Sequence, residues 1–181
     1  MTTIPRTTNP VTDSHKEHSM RTSSDVFCYQ VAGRAPGSGP VVAVLTDGPA
    51  DLAAAAAAAG WSADTGTRVV AAAVVVDTGF SIDPLLHRAR ARRMADESAA
   101  ITGRVAPTLA AAGVEWRPAA TTVKVATDVT RALPVAAVHR LVDRFTAAAV
   151  VTSAALDDPT GRLRLAARDA AAAGAGTAVR R

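Results

Sequence analysis

Val41-Val42-Ala43-Val44-Leu45-Thr46-Asp47-Gly48 decides the fold. Its first five residues are apolar, three of them β-branched, with no polar break until Thr46. Such a run predicts a strand buried on both faces, as in a parallel sheet. Asp47-Gly48 ends it as a tight turn. Pro49-Ala50-Asp51-Leu52 and the alanine block to Ala59 then read as a helix, with proline near its start, where the missing N–H costs nothing. Strand, turn and helix N-terminus in succession place free backbone N–H groups at the carboxyl end of a central strand. In open α/β sheets that crevice is where ligands bind.

Upstream, residues 1–24 are rich in Thr, Ser, Pro and charge and carry almost no apolar pattern, so a disordered tail is expected. Asp25 to Ala32 contains strong β-formers and predicts an edge strand or arm. Residues 33–40 hold three glycines and two prolines and read as a linker.

Downstream, Gly60 or Gly66 stops the first helix. Arg68–Asp77 is a second buried strand. Asp83-Pro84 caps and opens the longest helix, with Gly103 and Pro107 as breaks before Gly113. A third strand spans residues 114–126, bulged near Pro118. Pro134 opens a third helix whose buried stripe is Val135, Val138, Leu141, Val142 and Phe145. Ala147–Ser153 is a fourth strand, Arg162–Ala173 a fourth helix, and Thr177–Arg181 a fifth strand. Alternation of strands with helices predicts one α/β, doubly wound domain over 41–181, with a five-stranded parallel sheet flanked by four helices.

Composition narrows the function. Hydrophobic residues make up 49% of the 181, but aromatics only 3%, so the core must be thin and built from Val, Leu and Ala. The net charge is +4, and because Lys16 and Lys124 are the two lysines, 18 of the 20 basic residues are arginine. The Arg88/Arg90/Arg92/Arg93 cluster spans more than one side of a helix and reads as a solvated face rather than a nucleic-acid site. Too few aromatics are present for base stacking. Cys28 stands alone, which removes intrachain disulfides and cysteine metal sites. No apolar run reaches the ~18 residues of a membrane span, and Met1–Met20 lacks the apolar core of a secretory signal, so a cytoplasmic chain is expected.

The strand ending in Asp47-Gly48, the entry Gly66-Thr67-Arg68-Val69-Val70-Ala71, the segment Ala111-Ala112-Gly113-Val114, and Phe145-Thr146-Ala147-Ala148-Ala149-Val150-Val151-Thr152-Ser153 together resemble the universal stress protein family over residues 41–181. The resemblance implies a stress-response or regulatory domain that pairs as a homodimer through the last strand, here Thr177–Arg181. In ATP-binding members of that family a Gly-x-x-Gly motif, a nine-residue spacer and Gly-Ser/Thr follow the fourth strand and wrap phosphates. Here the segment reads Thr152-Ser153-Ala154-Ala155-Leu156-Asp157-Asp158-Pro159-Thr160-Gly161-Arg162, with one glycine and two adjacent carboxylates. Non-glycine residues resist the positive φ such loops need, and the carboxylates repel a polyanion unless Mg²⁺ intervenes.

The expectation is therefore a non-catalytic domain with a degenerate nucleotide site, no bound cofactor and no metal, acting through dimerisation or a protein partner. The alternative is an adenine-nucleotide (ATP) module using Asp47, Gly48, the backbone at Val76, Ser153 and Gly161. Asp157-Asp158 reads as a solvated loop before it reads as a metal site. Ser153 is not in a Gly-x-Ser-x-Gly elbow, and no paired nucleophile and base is visible, so hydrolysis is the least favoured reading.

Overall fold

The computed structural model describes residues 26–77, 79, 83–124, 129 and 133–166. These form strands β1 (Phe27–Val31), β2 (Val41–Leu45), β3 (Val69–Val76), β4 (Trp116–Val123), β5 (Ala149–Thr152) and β6 (Leu163–Leu165). Three helices accompany them: α1 (Asp51–Thr65), α2 (Pro84–Ala111) and α3 (Val135–Phe145). The strands lie in the order β4-β3-β2-β5-β1-β6. β2 to β5 are mutually parallel, whereas β1 is antiparallel to both its neighbours. The class is α/β as expected, but the sheet is mixed and six-stranded, with three helices among the described residues.

The alternation of β2 and β3 assigns the two faces. Val42, Val44, Val70 and Ala72 pack under α3, whose Val138, Leu141 and Val142 are fully buried. Val41, Ala43, Val69 and Ala71 pack under α1 and the second half of α2. Ala54, Ala55, Ala58 and Ala59 are the buried face of α1, and side chains this short let the helix lie close on the sheet. The helix runs through Gly60 and ends at Gly66, which takes the left-handed φ of 65°.

Two expectations are corrected by how the sheet edges are made. The segment around Phe27–Val31 is an interior strand between β5 and β6. Tyr29 and Val31 are buried there, and the next strand must cover them. That demand overrides the helical propensity of the segment after Arg162, so Leu163–Leu165 is a strand rather than the start of a fourth helix. The rest of that segment and the fifth strand expected at Thr177–Arg181 lie outside the described residues, as does the tail at 1–24.

At the other edge, β4 runs unbroken through Pro118 with no bulge. Glu115 and Val123 carbonyls accept from Val69 and Asp77 N–H groups, so the even-numbered residues between them turn their polar groups away from β3. Proline at 118 therefore removes a donor that faces outward and breaks no ladder bond. α2 likewise continues through Pro107. The carbonyl that a helical proline ring crowds is that of the residue four back, here Gly103.

Candidate functional site

The topology has one switch point. From β2 the chain winds outward through β3 and β4, then returns to place β5 on the other side of β2. The carboxyl ends of β2 and β5 thus open a crevice, the usual ligand position in such sheets. Register sets Val44 opposite Thr152, so the turn Thr46-Asp47-Gly48 and the start of the loop at Ser153 emerge side by side. Val76 ends β3 at the same end of the sheet, half-buried, opposite Val123.

Gly161 is not part of this group. β6 pairs Leu163 with Val31, and Val31 donates its N–H to Ala148, just before β5 begins. After Ser153 the chain therefore crosses back along the α3 face and re-enters the sheet from its amino end. The Tyr29 hydroxyl accepts from Leu156 N–H at 2.8 Å part-way along that crossing. No helix follows β5 among the described residues, so this side of the crevice offers no helix N-terminus to an anion.

The crossing is fastened to α3 by a His–Asp contact and an Arg–Asp ion pair. His139 Nε2 lies 3.2 Å from Asp158 Oδ2, and one turn later Asp143 Oδ1 accepts from Arg162 Nη2 at 2.5 Å. The Asp158 side chain is only 3% exposed. It also accepts from Leu163 N–H (2.8 Å), Thr160 N–H (3.0 Å) and the Thr160 hydroxyl (2.6 Å). Burial pushes this carboxyl up, but the donors from Thr160, Leu163 and His139 outweigh it and hold it well below the usual carboxylate range. The Arg162 hydrogen bond likewise lowers Asp143. Asp158 is thus a structural carboxylate, whereas Asp157 is exposed.

On the β2 side, Asp47 adopts φ 65°, a left-handed conformation that Asp tolerates better than most residues. Its side chain is 63% exposed and lies 2.5 Å from Arg104 Nη2 of α2. Arg104 also reaches Asp51 Oδ2 at 3.5 Å. Asp51, in the first turn of α1, is 3% exposed and accepts from Thr46 N–H at 3.0 Å. Desolvation raises its carboxyl above the usual range, against the pull of Thr46 N–H and the Arg104 charge. Thr46 Oγ1 is buried without a hydrogen-bond partner. Gly48 is buried.

No protein-family model matches this chain, and no curated protein matches it. Among solved structures, it is similar to the crystal structure of a protein from the universal stress protein family from Burkholderia pseudomallei. The two are 19% identical with a TM-score of 0.44, over 63% of this chain and 80% of that one.

The site's own residues govern what it can do. Asp51 and Arg104 were not visible as functional residues in the sequence. Asp51 could have been noticed as an acid in a helix's first turn, but Arg104 lies 53 residues from it and comes near only through the packing of α2 on α1. At the end of β3, Arg90 lies 3.9 Å from Asp77 and donates to the Gly79 carbonyl. No cluster of three or more His, Cys, Asp or Glu side chains among the described residues is arranged to hold a metal.

Proposed function

We propose that this chain is a non-catalytic stress-response or regulatory domain of the universal-stress-protein type, with a crevice that no longer serves a nucleotide. It acts through self-association or contact with a protein partner. One observation carries the reading: the charged side chains on the β2 side of the crevice already engage one another. Arg104 bridges Asp47 and Asp51, the acid of α1's first turn sits where an anionic ligand would gain from the helix dipole, and the chain after Ser153 runs into β6 rather than into a phosphate-wrapping loop and helix. The stress-response role itself comes from the resemblance in the order of elements.

Thermal melting with millimolar Mg-ATP, on wild type and Asp47→Ala, tests the degenerate site. Ligand at about 100 times its Kd stabilises a fold by about 2.7 kcal/mol, a shift of several degrees here. The expected result is no shift in either protein. A shift in wild type that Asp47→Ala abolishes would establish the adenine-nucleotide module instead. A shift that survives the substitution also defeats the degenerate-site reading. Self-association through Thr177–Arg181 is tested by light scattering on the full chain and on a chain lacking 177–181. Dimer in the first and monomer in the second is expected; a monomeric full chain, or an unchanged dimer after truncation, refutes that contact.

A further inference from the structure

α2 is 28 residues long, yet its buried residues, Ile101, Thr102, Val105 and Leu109, all belong to its second half. From Pro84 to Ala89 every residue is exposed, so the first turns stand clear of the body. Leu85 and Leu86 are 72% and 58% exposed, the highest and third highest values among the large exposed apolar residues. Behind them come His87, Arg88, Arg90, Arg92 and Arg93, and no acidic residue occurs between Pro84 and Ala95. Arg90 is engaged with Asp77 and Gly79, whereas Arg88, Arg92 and Arg93 make no ion pair with any described residue.

The arrangement of these charges selects the partner. At 3.6 residues per turn, Leu85, Leu86, Arg88, Arg92 and Arg93 fall within an arc of about 160° on one side of the helix, and Arg90 lies beyond it, where it meets Asp77. A helix bound in a protein groove needs apolar residues at three- and four-residue spacing, but the positions after Leu85 and Leu86 are Ala89, Arg90, Arg92 and Arg93. A second copy would bring arginine against arginine. A nucleic acid would satisfy the arginines and leave the leucines in water. Exposed leucines beside free guanidinium groups on one side of a helix fit contact with an anionic lipid surface. Planar guanidinium forks suit lipid phosphates. Asp83, which caps the helix through Leu85 N–H at 2.8 Å, is the one acid at this end, and the helix dipole favours its charge there.

We propose that the first turns of α2 dock side-on to anionic lipid, with Leu85 and Leu86 entering the acyl boundary and Arg88, Arg92 and Arg93 at the phosphates. This anchors the chain at a surface without spanning it, and no described helix is long and apolar enough to span.

The test is co-sedimentation of the full chain with vesicles of phosphatidylcholine alone and of phosphatidylcholine with about one-third phosphatidylglycerol, at low and high salt. The expected result is binding to the anionic vesicles only, reversed by salt. It should weaken about tenfold or more in Leu85→Ser/Leu86→Ser and in Arg88→Gln/Arg92→Gln/Arg93→Gln. All these side chains are exposed, so both variants should melt with wild type, which separates lost docking from lost folding. Absent binding, equal binding to neutral vesicles, or full binding by the leucine variant overturns the proposal. So does a duplex RNA or DNA that the leucine variant binds undiminished and that displaces wild type from vesicles.

Discussion

Replacing Asp158 removes the acceptor on which the β5–β6 crossing depends. Asp158→Ala strips partners from Leu163 N–H, Thr160 N–H, the Thr160 hydroxyl and His139 at once. Leu163 is buried and begins β6, so its N–H cannot simply turn to water. Hydrogen bonds to a charged group contribute about 1.5–3 kcal/mol each, and a buried donor left alone costs about 1–3 kcal/mol. These effects overlap, because one loop carries them all, so the net loss should be about 3–4 kcal/mol rather than their sum. At roughly 2–4 °C per kcal/mol for a chain of this size, the melting temperature should fall by about 6–16 °C. Asp157→Ala, one residue away and exposed, should stay within about 0.5 kcal/mol of wild type. The pH dependence gives an independent check. The folded carboxyl is held below its ordinary value, so its stabilisation is complete above the usual carboxylate range and is lost as pH falls through the lower, folded value. Wild type should thus lose stability on acidification more steeply than Asp158→Asn. Calorimetry between about pH 7 and pH 2 reads both effects. Equal melting of Asp158→Ala and Asp157→Ala would refute the assignment of Asp158 as the loop's anchor.

Asp51→Ala should destabilise by about 1–3 kcal/mol through the orphaned Thr46 N–H, and Asp51→Asn by less, since an amide oxygen can still accept. Because burial raises the Asp51 carboxyl, its contribution is present below the ordinary carboxylate range and lost as pH rises through the folded value; denaturant titrations should show that loss in wild type and not in Asp51→Asn. Thr46→Val removes a buried hydroxyl that has no partner and keeps the shape, so urea unfolding should show a gain of up to about 1 kcal/mol; a clear loss would mean the hydroxyl has a partner, such as a bound water. Arg140→Gln/Arg144→Gln should free the outward carbonyls of Thr122 and Ala120 and bring concentration-dependent association in light scattering, whereas a variant as monodisperse as wild type would show that these arginines do not guard the edge.

The sequence by itself determined the elements whose pattern is local. The β-branched apolar runs at Val41–Leu45 and Val69–Val76 read as buried strands, Asp83-Pro84 as a helix start, and the 3,4-spaced stripe of Val138, Leu141 and Val142 as a buried helix face, and each is found so. The turn at Asp47-Gly48 and its place at a strand's carboxyl end followed from the same periodicity. Tertiary structure decided what depends on partners far along the chain. Phe27–Val31 read as an edge strand because its sequence says nothing of which strand will flank it; the buried Tyr29 and Val31 drew Leu163–Leu165 alongside and made it interior. That pairing made the segment after Ser153 a crossing tied to α3, and carried Gly161 away from Ser153 to the other end of the sheet. Arg104 reads in the sequence as one more arginine on a long helix; only the packing of α2 on α1 brings it to Asp47 and Asp51. Local periodicity is written in residues three or four apart, whereas register and charge pairing are settled by contacts that form only when the whole sheet has assembled.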